Sequence, residues 1–419
     1  MNILQLSFKS LWHRRSSAFL VLVVVSLSVT LLLGVQRLRQ EARLSFSRSI
    51  AGTDLIVGAR SGSLNLLLYS IFRIGNPTNN ISWQSYQAIR EHPNVAWTIP
   101  LALGDSHRGF RLIGTDEHYF EHYRYGRQLP LSFAKGGPFS SVYDVVLGAD
   151  VAQNLGYELG QQITMSHGTA EVSLIKHGDK PFTIVGVLKK TGTAVDKSLH
   201  ISLAGLEAMH VGWEGGVPIP SLSLSAEAAL QQDLTPKVIS AFLLGVKSKP
   251  AIFSLQRGIN DYRLEPLMAI LPGVALQELW SLMSVAETAL FVVSSLVLLS
   301  ALIAMLSSIL SSLKERQREM AILRAVGAGP RHIFGLLCGE TLLLTFLGCA
   351  LGLALLYLSL ALSRPWLESN YGLFIGVNPP NSLEWLILAF ILLASVVMSL
   401  GPAYLAYRQT LSDGLSTKL

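Results

Sequence analysis

Four long apolar stretches, almost free of charge, constrain the fold of this chain more than any other feature of its sequence. They occupy residues 18–36, 284–313, 332–362 and 385–407. A helix needs ~20 apolar residues to cross the hydrocarbon core of a bilayer, so each stretch is long enough to span it. Half of the 419 residues are hydrophobic and only 14% are charged, which is too apolar for a soluble protein of this size. The sequence therefore predicts a membrane protein with four transmembrane α-helices.

The first apolar stretch has two interpretations. Basic residues precede it, as in a signal peptide. However, the stretch is long, and Gln36 and Arg37 follow it where a signal peptide would have small residues for cleavage. We therefore expect an uncleaved transmembrane helix.

Residues 37–280, between the first two predicted spans, have the pattern of a folded domain. Short β-like runs, such as 144–147 and 182–188, alternate with Gly- and Asp-containing turns and with short helical segments. This mixture predicts a large α+β domain of two subdomains, with stalk helices at its ends. Residues 58–80 lie outside the family motifs given below. Their apolar side chains could face a substrate, face a second copy of the chain, or form core.

The orientation in the membrane follows from the short loops. Residues 314–331 contain five Lys or Arg, whereas residues 363–384 contain one, Arg364. The positive-inside rule therefore predicts that segment 1–17, loop 314–331 and tail 408–419 are cytoplasmic, and that the large domain and loop 363–384 are extracytoplasmic. Four arginines show the opposite bias, but they begin a long translocated domain, where the rule is weak. These are Arg37, Arg39, Arg43 and Arg48.

Motifs for nucleotide hydrolysis and for common hydrolases are absent from the sequence. It contains no Gly-x-x-x-x-Gly-Lys-Ser/Thr, Gly-x-Ser-x-Gly, His-Glu-x-x-His or Cys-x-x-Cys. We therefore expect a non-catalytic membrane protein without a cofactor of its own. His118 and His122 are four residues apart and would share a helix face, which makes them weak candidates for a metal site. A polar surface helix is the alternative interpretation.

Glu340 is the one carboxylate within the third apolar stretch. A carboxylate in lipid is unfavourable and indicates function, although Glu340 lies near the start of the stretch and could be interfacial. Small residues recur in the same stretch at roughly helical intervals, which suits close helix packing within the chain or across a dimer. These are Gly335, Gly339, Gly348 and Gly352.

Loop 314–331 and its flanks resemble the permease domain shared by MacB-, LolC/LolE- and FtsX-type ABC transporters. The similar residues are 319–328, with sequence EMAILRAVGA, and the end of the fourth stretch, 402–408, with sequence PAYLAYR. The large domain is similar to the MacB type in the order of its motifs, which are 112–116 with 119–120, 146–152, and 182–188 with 191–193. The resemblance covers nearly the whole chain.

The resemblance implies a dimeric permease that pairs with a second copy or a sister permease and binds a separate cytoplasmic ABC ATPase, which holds ATP and Mg. Loop 314–331 would be the coupling helix. The residues that would contact the ATPase are Arg316, Glu319, Met320, Leu323, Arg324, Gly327 and Ala328. The resemblance also implies mechanotransmission, in which closure of the ATPase moves the spans and the large domain.

The leading hypothesis is therefore a multi-pass permease of the cell inner membrane that exports or extracts a lipid-like, lipoprotein or peptide substrate. An FtsX-like permease that controls a cell-wall hydrolase is one alternative, and a membrane-anchored metal-binding protein is another. The expected contacts are membrane lipids and a periplasmic or lipoprotein partner, and no nucleic acid.

Overall fold

The computed structural model describes residues 15–49, 51–167, 180–214, 217–218, 224–315, 329–371 and 378–412. The chain divides into two compact units. The first unit, called the membrane unit here, contains residues 1–41, 284–366 and 375–419. The second, called the large domain, contains residues 42–283 with 367–374.

The helices within the described residues differ widely in length. They are α1 Arg15–Arg48, α2 Ser63–Leu67, α3 Trp83–Arg90, α4 His118–His122, α5 Ala149–Leu155, α6 Leu203–His210, α7 Ala226–Ala229, α8 Ile252–Asn260, α9 Pro272–Glu315, α10 Pro330–Tyr371 and α11 Ser382–Ser412. A π-helical turn covers Leu68–Phe72, and 3₁₀ turns cover Ala194–Lys197 and Lys249–Ala251.

The strands are mostly short. They are β1 Leu55–Ala59, β2 Ile81–Ser82, β3 Val95–His107, β4 Phe110–Thr115, β5 Arg124–Tyr125, β6 Leu129–Pro130, β7 Phe133–Gly136, β8 Asp144–Leu147, β9 Gln162–Ile163, β10 Ser166–His167, β11 Phe182–Leu188, β12 Ser198–Ser202, β13 Trp213–Glu214, β14 Val217–Pro218, β15 Val238–Ile239, β16 Ala241–Val246 and β17 Leu267–Ile270.

Helices α1, α9, α10 and α11 are long and apolar enough to cross a membrane. Their span candidates are 15–44, 272–311, 334–364 and 382–405. The predicted four-helix membrane protein, with a large α+β domain between the first and second spans, is confirmed. At 1.5 Å per residue, the 34 residues of α1 extend ~51 Å and the 44 residues of α9 extend ~66 Å, against ~30 Å of hydrocarbon.

One apolar core holds the four long helices together. Val25 and Val29 of α1 are fully buried, and they pack in a cluster with Met305 of α9, Leu356 of α10 and Ile391 of α11. Each helix therefore contributes a buried stripe, and its other faces are apolar and exposed, as lipid contact requires.

A single sheet of eleven strands forms the framework of the large domain. Its main order is β17-β1-β16-β3-β4-β12-β8-β11-β7, with β10 paired to β3 and β9 paired to β11. Most neighbours are antiparallel, but β12 runs parallel to β4, and β11 runs parallel to β8. Apolar layers cover both faces of the sheet. In β1, for example, Leu55 and Val57 belong to one layer and Ile56 to the other.

The segment that the sequence left open, residues 58–80, supplies part of one layer. Leu66, Leu67, Tyr69 and Ile71 lie on α2 and the π-helical turn and are almost completely buried in the core. The Tyr69 hydroxyl donates a hydrogen bond to the Ser240 carbonyl at 3.2 Å. These four side chains therefore form core, which was one of the three alternatives.

Two of the motifs that carried the family resemblance meet next to a 3₁₀ turn. Asp196 accepts hydrogen bonds from the backbone N–H groups of Thr191 at 2.8 Å and Gly192 at 2.7 Å. At Gly148, a Cβ atom would lie 2.2 Å from the Val195 carbonyl oxygen, so only glycine fits there. These motifs therefore specify how the chain packs at the end of β8 and before β12.

Candidate functional site

A buried ion pair joins the first and fourth spans. The Arg37 Nη1 of α1 lies 3.2 Å from the Glu384 Oε2 of α11, and the two side chains are 5% and 1% exposed. Glu384 also caps its own helix. Its N–H donates to the Asn381 Oδ1 at 2.8 Å, and its carboxylate accepts from the Asn381 N–H at 3.0 Å. This reciprocal capping explains why α11 begins at Ser382.

The third span joins the same group of residues. The Tyr357 hydroxyl of α10 lies 3.3 Å from the Arg37 Nη1 and donates to the Asn378 carbonyl at 2.7 Å. The Arg37 Nη2 donates to that carbonyl as well. We call Arg37, Tyr357, Asn378, Asn381 and Glu384 the Arg37 network.

A second ion pair joins the second span, α9, to α1, two residues after Arg37. The Arg39 Nε lies 2.7 Å from the Glu287 Oε2 of α9, with side-chain exposures of 38% and 12%. All four spans are therefore connected through polar contacts of α1 within a few residues of Arg37. Since apolar packing alone permits sliding, these directional contacts fix the helices in one register.

Close glycine contacts join α10 to α1 deeper in the membrane unit. A Cβ atom on Gly348 would lie 2.6 Å from the Val25 Cγ1, and one on Gly352 would lie 2.8 Å from the Ser26 carbonyl oxygen. Because no side chain intervenes, the Thr30 hydroxyl reaches the Gly352 carbonyl at 2.9 Å. Gly348 and Gly352 thus pack within the chain, which was one of the two alternatives for the glycine pattern.

Of the remaining candidate residues, Glu340 lies within the described residues and the seven coupling residues do not. Glu340 lies on α10 and is 9% exposed, so it is buried within the membrane unit. The seven residues expected to contact an ATPase lie outside the described residues. They are Arg316, Glu319, Met320, Leu323, Arg324, Gly327 and Ala328.

The two histidines do share one face of α4. Their rings stack with centroids 5.8 Å apart, and the His118 Nδ1 lies 3.1 Å from the Asp116 Oδ2. The His122 ring stacks on Trp97, with centroids 5.2 Å apart. Within the described ranges, no group of three or more His, Cys, Asp or Glu residues could hold a metal ion.

The core of the large domain contains a second group of buried polar side chains. His200 of β12 is fully buried, and its Nε2 lies 3.2 Å from the Tyr119 hydroxyl. Burial, with the nearby charge of Arg73, lowers the pKa of His200 to about 3. Arg73 itself is 8% exposed and has a left-handed backbone with φ 61°. This histidine is therefore neutral in the folded domain at any ordinary pH.

Sequence reasoning missed the Arg37 network. Arg37 follows the first apolar stretch directly, and Glu384 directly precedes the fourth. Each residue alone is ordinary for the end of a span, where charged side chains reach water. Their positions at the same end of antiparallel spans were the one available indication that they could meet.

Comparison with known proteins fits this architecture. The fold defines a multi-pass membrane protein with a large α/β domain between its first two spans. A family model described as the MacB-like periplasmic core domain matches residues 18–232, more than half of the chain, and one described as the FtsX-like permease C-terminal matches residues 291–411. The chain belongs to the MacB/FtsX-type ABC transporter permeases. Permeases of this type are the non-catalytic transmembrane subunits, and they work with cytoplasmic ABC ATPases.

Two solved structures are among those similar to part of this chain. The periplasmic region of MacB from Actinobacillus actinomycetemcomitans is 13% identical, with 55% of this chain and 94% of that chain covered and a TM-score of 0.33. The extracellular domain of the noncanonic ABC-type transporter YknZ from Gram-positive bacteria is 13% identical, with 52% and 99% covered and a TM-score of 0.31. No curated protein matches the chain.

Proposed function

We propose that this chain is a permease subunit that transmits ATP-driven movement from a cytoplasmic ABC ATPase to its own extracytoplasmic domain. The work done there is export or extraction of a lipid-like, lipoprotein or peptide substrate. The observation that supports this proposal is the Arg37 network, with the neighbouring Arg39–Glu287 pair, because it connects all four spans at one end.

A mechanical role requires helices that move together. In a membrane-embedded or partly dehydrated site, a buried ion pair with capping hydrogen bonds has no equally favourable alternative partner. A displacement of one span is therefore passed to the other three instead of being absorbed by local sliding.

The length of α1 and α9 fits the same role. Both helices continue without a break well past the residues needed to cross the bilayer. An unbroken helix transmits a shift or a tilt along its axis, because each turn is held by the hydrogen bonds of the next. These two helices connect the membrane unit to the sheet of the large domain through the chain itself.

We propose loop 314–331 as the contact with the ATPase. Arg316, Met320, Leu323 and Gly327 recur at three- and four-residue intervals, so a helix there would present them on one face. Arg318 falls on a different face of such a helix and offers a matched control. Membrane insertion depends on the spans, so we expect substitutions on either face of this helix to leave insertion unaffected.

Co-purification tests this contact. The tagged chain is extracted in a mild detergent with nucleotide trapped, and the amount of P-loop ATPase that accompanies it is measured. Arg316→Glu and Leu323→Asp are expected to reduce the recovered ATPase at least tenfold, whereas Arg318→Glu retains it. Equal recovery with all three variants contradicts the assignment of the contact face. Failure of the unmodified chain to recover any ATPase contradicts the coupled-permease proposal.

A further inference from the structure

The large domain contains a cavity of about 480 Å³ that the permease mechanism does not use. It lies where the parallel strands β4 and β12 end, at the register pair of Thr115 with Ser202. In open α/β sheets, ligands bind in the crevice beyond the carboxyl ends of parallel strands. The volume also falls within the ~300–1,000 Å³ typical of small-molecule sites.

The walls of the cavity are mostly apolar, with charges of both signs. The apolar side chains come from four separate segments, and the main ones are Trp83, Phe139, Val142, Leu203 and Pro236. The charged or titratable side chains are Arg90, Asp116, Glu117 and His118. An apolar lining with a few polar groups that fix orientation is the usual composition of a site for a small organic ligand.

Asp116 has acceptor capacity that the chain leaves unused. The Oδ2 is bonded to the His118 ring at 3.1 Å, while the buried Oδ1 has no hydrogen-bond partner in the described part of the chain. Burial raises the pKa of Asp116, and the charges of His118 and Arg90 oppose that rise. A buried acceptor without a donor is unfavourable by ~1–3 kcal/mol. The Asp116 side chain as a whole is 26% exposed and lines the cavity, so a ligand can donate to its carboxylate.

Arg90 supplies the opposite charge. It is the last residue of α3 and is exposed, and Trp83 lies seven residues before it, on the same helix face. Both side chains line the cavity. Arg90 attracts an anionic group, whereas Asp116 and Glu117 attract a cationic group. A ligand that carries both charges can therefore pair with both kinds of group.

We propose that this cavity binds a zwitterionic ligand that carries a protonated amine and an acidic group beside an apolar portion. The amine donates to Asp116, the acidic group bonds to the Arg90 guanidinium, and the apolar portion packs on Trp83 and Phe139. An amino acid or short peptide has this chemistry, and so does the ethanolamine headgroup of a phospholipid. The cavity is independent of ATPase binding, so a negative binding result would leave the proposed permease function unaffected.

Isothermal titration calorimetry on the full chain in dodecyl maltoside, a nonionic detergent, tests the proposal. L-phenylalanine and phosphoethanolamine are the zwitterionic probes. Phenethylamine and 3-phenylpropanoate are matched controls, because each retains the apolar group and only one of the two charges of L-phenylalanine. We expect saturable binding of at least one zwitterion and at least tenfold weaker binding of the singly charged analogues.

Two pairs of variants assign the binding to the cavity. Asp116→Asn keeps the shape of the side chain and removes its charge, and Arg90→Gln changes an exposed residue, so both are expected to fold. Each is expected to weaken binding at least tenfold. Asp261→Asn and Arg257→Gln are the controls, since both residues are exposed and lie outside the cavity. Both controls are expected to bind as the unmodified chain does.

The outcomes separate the sources of the ligand and can overturn the site. Binding of L-phenylalanine alone supports an amino acid or peptide, and binding of phosphoethanolamine alone supports a lipid headgroup. Binding of both supports recognition of the shared charges. The proposal is overturned if neither zwitterion binds, if Asp116→Asn and Arg90→Gln bind unchanged, or if phenethylamine binds as tightly as L-phenylalanine.

Discussion

Removing the Arg37 side chain is expected to destabilise the membrane unit far more than removing Arg39, although both arginines form ion pairs from the same helix. The Arg37–Glu384 pair, at 3.2 Å, is almost completely buried, with side-chain exposures of 5% and 1%. Arg37→Met therefore leaves a buried carboxylate without its partner, which costs about 3–5 kcal/mol. The Arg39–Glu287 pair is closer, at 2.7 Å, but Arg39 is 38% exposed, and such pairs contribute about 1 kcal/mol or less.

A double-mutant cycle separates the ion pair from the other contacts of each residue. Arg37→Met also loses the hydrogen bonds to Tyr357 and Asn378, worth about 1 kcal/mol each, and that loss does not depend on Glu384. Glu384→Gln keeps an oxygen that can cap α11. We expect the double variant to be less destabilised than the sum of the two single variants by more than about 1.5 kcal/mol, because it leaves no unpaired buried charge.

Unfolding by titration with sodium dodecyl sulfate, followed by circular dichroism, provides these free energies for the purified chain. Arg39→Met is the matched control, as it removes the same side chain from the same helix. The reasoning is refuted if Arg37→Met and Arg39→Met are destabilised equally, or if the coupling energy between Arg37 and Glu384 is below about 0.5 kcal/mol, the usual error of additivity.

Three further predictions concern packing, pH and topology. Gly352→Ala would place a Cβ atom 2.8 Å from the Ser26 carbonyl oxygen, so we expect a loss of about 1–3 kcal/mol in the same titration, whereas Gly401→Ala, with nothing within 4 Å, loses nothing. The folded-state pKa of His200 is about 3, below its unfolded value of ~6.5, so its contribution to stability is complete above pH ~6.5 and is lost as the pH falls. Between pH 6.5 and 5, we expect the unmodified chain to lose about 2 kcal/mol more than His200→Phe in thermal unfolding, and equal losses would contradict the neutral buried state. A cysteine at the exposed Glu91, in a chain whose native cysteines are replaced by serine, is expected to react with an impermeant maleimide in intact spheroplasts, and reaction only after lysis would invert the topology.

The elements that could be predicted from the sequence are those with a local pattern. The four spans follow from apolar length alone. Strands β8 and β11 begin and end where the runs of Val, Ile and Leu at 144–147 and 182–188 predicted. In both cases the information lies within one short window. For the strands, the physical reason is burial of an apolar run on both faces of the sheet.

The elements that could not be predicted depend on distant neighbours. Strand β3 continues through Gly104 and Asp105 to His107, although Gly and Asp usually mark a turn. Asp105 is tolerated there because His210 of α6 lies 3.4 Å from its carboxylate. In the same way, the apolar segment 58–80 shows no period of its own, because its conformation is set by the sheet that it covers. A short stretch of sequence around Asp105 or around segment 58–80 does not include the distant residues that determine its conformation, so it cannot predict that conformation.

The arginines that follow the first span illustrate how such distant contacts change a sequence rule. Four basic residues at 37, 39, 43 and 48 oppose the topology that the short loops predict. In the folded chain Arg37 pairs with Glu384, Arg39 pairs with Glu287, and Arg43 lies over the Trp280 ring, 5.6 Å from its centroid. Two of these charges are therefore compensated by carboxylates that arrive on other helices. The positive-inside rule counts charges during insertion, whereas the folded protein uses the same side chains to hold its helices together. Helix pairing therefore accounts for Arg37 and Arg39, the two arginines next to the end of the first span.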